Sequence, residues 1–322
     1  MVDLTERGTQ PGRSVSTGPA PAARRDVGTR AIEPREPGLL NVWREFWRYR
    51  ALLLFFGRRM LLRRFANTWL GWLWLPLRPV VMLSTRILVF GGLIGIATGS
   101  TPYALVFVVA TTAWTLFSET AFWSARSIEL NRKLLPHVYV PKLTLIASAL
   151  VLSLVEFGIY VCFVIAGTLY YFVRADFLYL DIGLKTLLVP LGLFFLVMLG
   201  LGVGLLTASA GARARDIRFS LAYVLGFVYF LTPVIYPLST VPPKWRPLAE
   251  LNPLTGAIEM VKDGLFSSSH ELSSDAVLVT AIAVFIIWVP GLWLFDRREV
   301  GMLHGRPQRW FSRPARFRRA GG

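Results

Sequence analysis

At 322 residues, with 54% hydrophobic content, a mean hydropathy of +0.52 and a net charge of +16, the chain is too apolar for a soluble domain. Its basic residues are divided among segments that flank apolar blocks, which excludes the single patch of a nucleic-acid binder. Cys162 is alone and His137, His270 and His304 are scattered, so no disulfide framework or metal cluster is expected.

Residues 1–38 are rich in Pro, Gly, Ser, Thr, Ala and Arg and nearly free of bulky apolar side chains, which predicts a disordered tail without a signal peptide. Residues 39–66 predict an amphipathic interface helix. Trp43, Phe46, Trp47, Leu53, Leu54, Leu61 and Phe65 recur at helical spacing, with Arg44, Arg48, Arg59 and Arg63 on other faces. Two readings stand: simple anchoring, or capture of an anionic lipid-linked headgroup by Arg58, Arg59, Arg63 and Arg64.

Residues 67–298 form the membrane domain, and 299–322 a basic cytoplasmic tail. A helix crosses a ~30 Å hydrocarbon layer in about 20 apolar residues. Six blocks meet this length: Trp72–Ala97, Pro102–Ala125, Leu143–Val173, Leu184–Ala210, Phe219–Leu238 and Ala276–Phe295. Of the 35 Lys and Arg, 28 fall on the side of both termini and five on the other, which places the termini in the cytoplasm of a multi-pass plasma-membrane protein. The fold expected is therefore all-α, with a cytoplasmic interface helix and six transmembrane helices.

Four charges lie inside the spans. Counted by depth, Arg86 is level with Glu156 and Arg78 with Glu119. Interhelical pairs Arg86–Glu156 and Arg78–Glu119 are one expectation, and four residues facing a wet cavity is the other. After the second span, Arg126–Pro136 mixes Ile128, Leu130, Leu134 and Leu135 with charges and predicts a short amphipathic cytoplasmic helix. Beyond the fifth span, Asn252 as N-cap and Pro253 at the first helical position start a further helix. Glu250, Glu259, Lys262 and Asp263 interrupt its apolar run, so a re-entrant or interfacial helical hairpin on the extracytoplasmic side is expected between helices five and six.

Catalytic chemistry is missing. None of the five lysines follows a glycine, so there is no phosphate-binding Walker loop, and no Asp-x-Asp pair suits a sugar-nucleotide metal. The chain is not expected to be an enzyme or to bind a cofactor. Active transport then needs a partner ATPase or an ion gradient.

Thr68, Leu70, Gly71, Trp74 and Pro79, behind the basic run Arg59–Arg64, resemble the first-span signature of ABC-2 type permeases that export polysaccharides such as O-antigen, capsule and teichoic acid. Met60 departs from the acidic residue usual there. Asn131 with Val138–Lys142, Arg215-Asp216-Ile217, Pro233–Tyr236, Val241-Pro242 and Asn252-Pro253-Leu254 follow in the family's order, over Trp43 to Phe295. The basic tails look most like those of actinobacterial galactan exporters.

The resemblance implies a permease dimer above two ATPase subunits that bind ATP and Mg. It also implies a coupling helix containing Arg126, Glu129, Asn131, Arg132 and Lys133, and a polyprenyl-diphosphate-linked glycan as substrate. Tyr103, Trp114, Phe117, Tyr223, Phe227 and Phe230 are candidates to line a glycan channel, against the alternative that they pack between helices. Rival functions are a drug or small-lipid permease of the same architecture and a gradient-driven glycan flippase.

Overall fold

The computed structural model describes residues 49–66, 69–131, 134, 142–211, 215–266 and 274–303, with the backbone alone at 142, 215 and 295–303. The expected tail at 1–38, the aromatic start of the interface helix and the basic tail beyond Leu303 lie outside the described residues. The described structure is helical and contains no strand.

Helix α1 (Arg50–Phe65) is followed by a 3-10 turn (Gly71–Leu73), α2 (Trp74–Arg86) and a π-helical segment (Ile87–Leu93). Then come α3 (Tyr103–Asn131), α4 (Lys142–Ala147), α5 (Ala149–Ala175), α6 (Leu188–Gly211), α7 (Arg215–Leu231), α8 (Arg246–Glu250), α9 (Pro253–Leu265) and α10 (Ser274–Leu303). Among the described residues, five stretches are long and apolar enough to cross a membrane: Gly71–Leu93, Tyr103–Asn131, Leu143–Ala175, Leu184–Gly211 and Ser274–Leu294. They match five of the six expected blocks.

The sixth block, expected over Phe219–Leu238, behaves differently. Its helix α7 starts earlier, at Arg215, and stops after 17 residues. Pro233 has no N–H to continue the ladder. The chain turns instead at Thr232–Tyr236, where polar contacts replace helical ones. Asn252 Nδ2 donates to Thr232 Oγ1 at 2.8 Å, Tyr103 Oη donates to the Ile235 carbonyl at 2.8 Å, and Lys262 Nζ approaches the Pro233 carbonyl at 3.5 Å.

Helix α3 is the axis of the core. Its membrane window is 78% buried, packed mainly on α6 and α5, with α9 also against it. Close approach depends on small residues: a Cβ on Gly200 of α6 would lie 2.8 Å from Thr120 Cβ and 2.9 Å from the Phe117 carbonyl oxygen of α3. Helix α9 starts as the sequence predicts, with Asn252 Oδ1 accepting from the Leu254 N–H at 3.1 Å and Pro253 following it. Its charged residues do not keep it at a surface. Lys262 and Glu259 pair at 2.5 Å with side chains about 7% and 13% exposed, and the helix is buried against α6, α10 and α3.

One further expectation is corrected. The separate helix predicted at Arg126–Pro136 is, through Asn131, a continuation of α3, since nothing between Ala125 and Asn131 breaks it. Arg132, Lys133 and residues 135–141 are outside the described part. In α1, Leu53, Phe56, Gly57 and Met60 are buried against the protein, chiefly α5, while Leu54 is exposed: a Cβ on Gly57 would collide with Val151 and the Ser148 carbonyl.

A charged cavity as candidate functional site

A cavity of about 380 Å³ opens between the end of α1, α2, α3 and α5. Arg64, Arg78, Arg86, Glu119 and Glu156 all line it, with Trp74, Trp114, Tyr160, Thr115 and Ser118 among their neighbours. Placing five ionisable side chains within a membrane domain is costly unless they pair or face water, and such clusters mark function. All four intramembrane charges singled out in the sequence are therefore brought together.

Their pairing is not the one expected. Arg64 reaches in from the end of α1 and bridges both carboxylates, Glu119 at 3.5 Å and Glu156 at contact distance. Trp123 Nε1 donates to Glu119 Oε2 at 2.7 Å, and the Arg64 guanidinium lies 5.1 Å from the Trp123 ring centroid. The depth count failed because an arginine at the interface carries its charge several ångströms from its Cα. Arg86 takes a ring instead of a carboxylate, with its guanidinium 4.5 Å from the Tyr229 centroid. Among the described residues, no carboxylate lies within ion-pairing distance of Arg78 or Arg86.

The other arginines of α1 diverge. Arg63 Nη1 donates to the Leu130 carbonyl at 2.7 Å, tying α1 to the end of α3. Arg58 is exposed, and Arg59 is half-buried. Partial desolvation, with Arg63 one turn on, lowers the pKa of Arg59. The four arginines thus do not form one receiving surface. The contacts of Arg63 and Arg64 could not be read from their position in a basic run.

At the same end of the molecule, Arg126 sits 3.9 Å over the Phe122 ring, and Glu129 pairs with Arg218 of α7 at 3.3 Å. Asn131 is buried, its Nδ2 donating to the Ser127 carbonyl at 2.9 Å. Arg218 went unnoticed in the sequence because its partner lies 89 positions away, with no local signal.

The aromatic candidates fall into two groups. Trp114 and Phe117 are buried in the core, where Trp114 packs edge-on to Tyr229 with centroids 5.2 Å apart. Tyr103 stacks on Phe107 at 5.7 Å. Tyr223, Phe227 and Phe230 are 82%, 70% and 60% exposed and lie four and three residues apart on one face of α7. No group of three or more His, Cys, Asp and Glu among the described residues is placed to hold a metal.

Residues 51–266 match the family model for the ABC-2 type transporter. The chain is 23% identical over 263 residues to the O-antigen export system permease protein RfbA of Myxococcus xanthus, covering 81% of this chain and 98% of that protein. It is 26% and 27% identical to two forms of the polysialic acid transport protein KpsM of Escherichia coli, each covering 74% of this chain and 90% of the relative.

Proposed function

The chain belongs to the ABC-2 type transporter family, and on that premise we propose that it is the membrane subunit of an ATP-driven exporter of a lipid-linked polysaccharide. One observation carries this reading: the relatives matched over nearly their whole length are an O-antigen export system permease protein and a polysialic acid transport protein. Two copies pair above two ATPase subunits, which bind ATP and Mg. The absence of a Walker loop supports a separate engine. Helix α7 serves as the fifth of six spans, and α8–α9 as a hairpin facing outward. Both termini are cytoplasmic in the plasma membrane.

The residues divide the work. Arg58, Arg59 and Arg63 draw anionic lipid to the cytoplasmic interface. Arg126 and Glu129 at the end of α3, with Arg132 and Lys133 after them in the sequence, meet the ATPase, while Asn131 is buried within this chain. Tyr223, Phe227 and Phe230 offer stacked faces to a passing glycan. Removing the chain from its own cell, or blocking it, should leave polyprenyl-linked glycan on the cytoplasmic side, measured by labelling the surface glycan in intact and opened cells. Unchanged surface glycan, with a drug or lipid retained instead, would transfer the chain to the small-molecule branch of the family.

A further inference from the structure

The charged cavity holds more positive charge than its own carboxylates satisfy. Three guanidiniums face two carboxylates, and Arg64 alone engages both Glu119 and Glu156. Arg78 and Arg86, both on α2, are left without a carboxylate among the described residues. Arg86 rests on the Tyr229 ring and Arg78 faces the cavity with no described carboxylate in ion-pairing distance, so three guanidiniums against two carboxylates leave the cavity net positive at membrane depth, where such charge is costly.

The shape narrows the ligand. A volume of about 380 Å³ is near the lower limit of small-molecule sites, so it admits a headgroup and not a polymer. Arg78 and Arg86 stand eight residues apart, a rise of about 12 Å along the helix, so both can meet one anion only by extending their long side chains toward each other in the cavity they line. One wall is polar (Thr115, Ser118). The other, α2, is apolar and exposed, with Trp74 and Met82 45% and 43% accessible beside the opening. That combination suits an amphiphile whose charged end enters the cavity while its hydrocarbon stays on the exposed face of α2.

We propose that this cavity binds the diphosphate of a prenyl-linked amphiphile, with Arg78 and Arg86 as its anion ligands and Arg64 as a brace held by Glu119 and Glu156. The proposal rests on the exporter reading for the identity of the amphiphile, and on the cavity alone for the site. Guanidiniums bind phosphate oxygens through paired, charge-assisted hydrogen bonds, which glutamine cannot replace.

The test is binding of radiolabelled geranylgeranyl diphosphate to the full chain in phosphatidylcholine nanodiscs, with inorganic diphosphate and geranylgeraniol as competitors. The Arg78→Gln/Arg86→Gln variant should bind at least tenfold more weakly. Met82→Trp, which narrows the opening from an exposed position, should weaken binding with both arginines intact and serves if the first variant folds poorly. Arg58→Gln/Arg63→Gln should lose less than Arg78→Gln/Arg86→Gln, and neither competitor should displace the label at equal concentration. Undiminished binding by folded Arg78→Gln/Arg86→Gln and by Met82→Trp overturns the site, as does a larger loss in the α1 variant. Displacement by inorganic diphosphate at equal concentration overturns the lipid source. Binding here without glycan export by the cell would leave the site standing and remove the polysaccharide reading; export with no such binding would do the reverse.

Discussion

Helix α3 and the stretch through α2 are both long, apolar and studded with polar side chains, yet their surroundings are opposite. The membrane window of α3 is 78% buried within the chain, while that of Gly71–Leu93 is 11% buried. The buried helix keeps its acid Glu119 by pairing it with Arg64; the exposed one keeps Arg78 and Arg86 beside a cavity. The first is a scaffold packed mostly within one chain. The second has faces still to be covered, by lipid, a second copy or cargo. In a membrane, hydropathy alone does not separate these roles, because lipid and protein interior are equally apolar.

The sharpest way to break the contrast is to enlarge two glycines. Gly200→Leu drives a side chain into the Phe117 carbonyl, a backbone atom that cannot yield, so purification in mild detergent should give little monodisperse protein. Gly226→Leu on α7 meets nothing within 4 Å and should purify as the parent does. Equal behaviour of the two would mean that α6 and α3 are not packed as described.

Next in size is the brace. Glu119→Gln/Glu156→Gln leaves Arg64 without its carboxylates, which for a buried ion pair costs about 3–5 kcal/mol. A marked fall in thermal unfolding temperature is expected, and adding Arg64→Met should restore part of it. No fall in the double variant would show that Arg64 finds water or lipid phosphate instead.

A smaller effect belongs to the pair of a half-exposed Glu129 and a more buried Arg218, worth about 0.2–1 kcal/mol. Glu129→Arg and Arg218→Glu should each weaken transport-coupled ATP hydrolysis in the assembled complex, and the swapped pair should regain it. The pair is merely decorative if each single variant hydrolyses normally.

The smallest effect on folding is expected on the exposed face of α7. Tyr223→Ala/Phe227→Ala should leave stability within about 0.5 kcal/mol, while slowing glycan export if those rings face it. A large loss of stability would mean that this face is buried in the assembly.

Much of this was legible beforehand, and the exceptions share a cause. Span lengths follow from the ~30 Å layer, and the start of α9 follows from Asn252-Pro253, because both are local. The pairs Arg86–Glu156 and Arg78–Glu119 left out Arg64, which takes both carboxylates, because depth counted from Cα positions ignores a long side chain. The stop of α7 was missed because Pro233 sits inside an otherwise continuous apolar run, and the run of α3 through Asn131 because charged residues can continue a helix when their partners, such as Arg218, come from elsewhere. A wet cavity was one of the two expectations for the four charges, and they do line one, but its walls and the entry of Arg64 could not be seen. It exists only where four segments distant in sequence meet, although the charges lining it were each identifiable.

Tyr103 gives the molecule a mechanical property. Its ring occupies the space beside Gly91 of the π segment, where a Cβ would lie 2.7 Å from its Cδ1, and its hydroxyl holds the Ile235 carbonyl beyond the end of α7. Two of the most exposed parts of the chain therefore bear on one residue at the tip of the most buried helix. Tyr103 is therefore a shared fastening: the π segment and the turn after α7 are both tied to the buried bundle through one side chain, and its loss would release both at once.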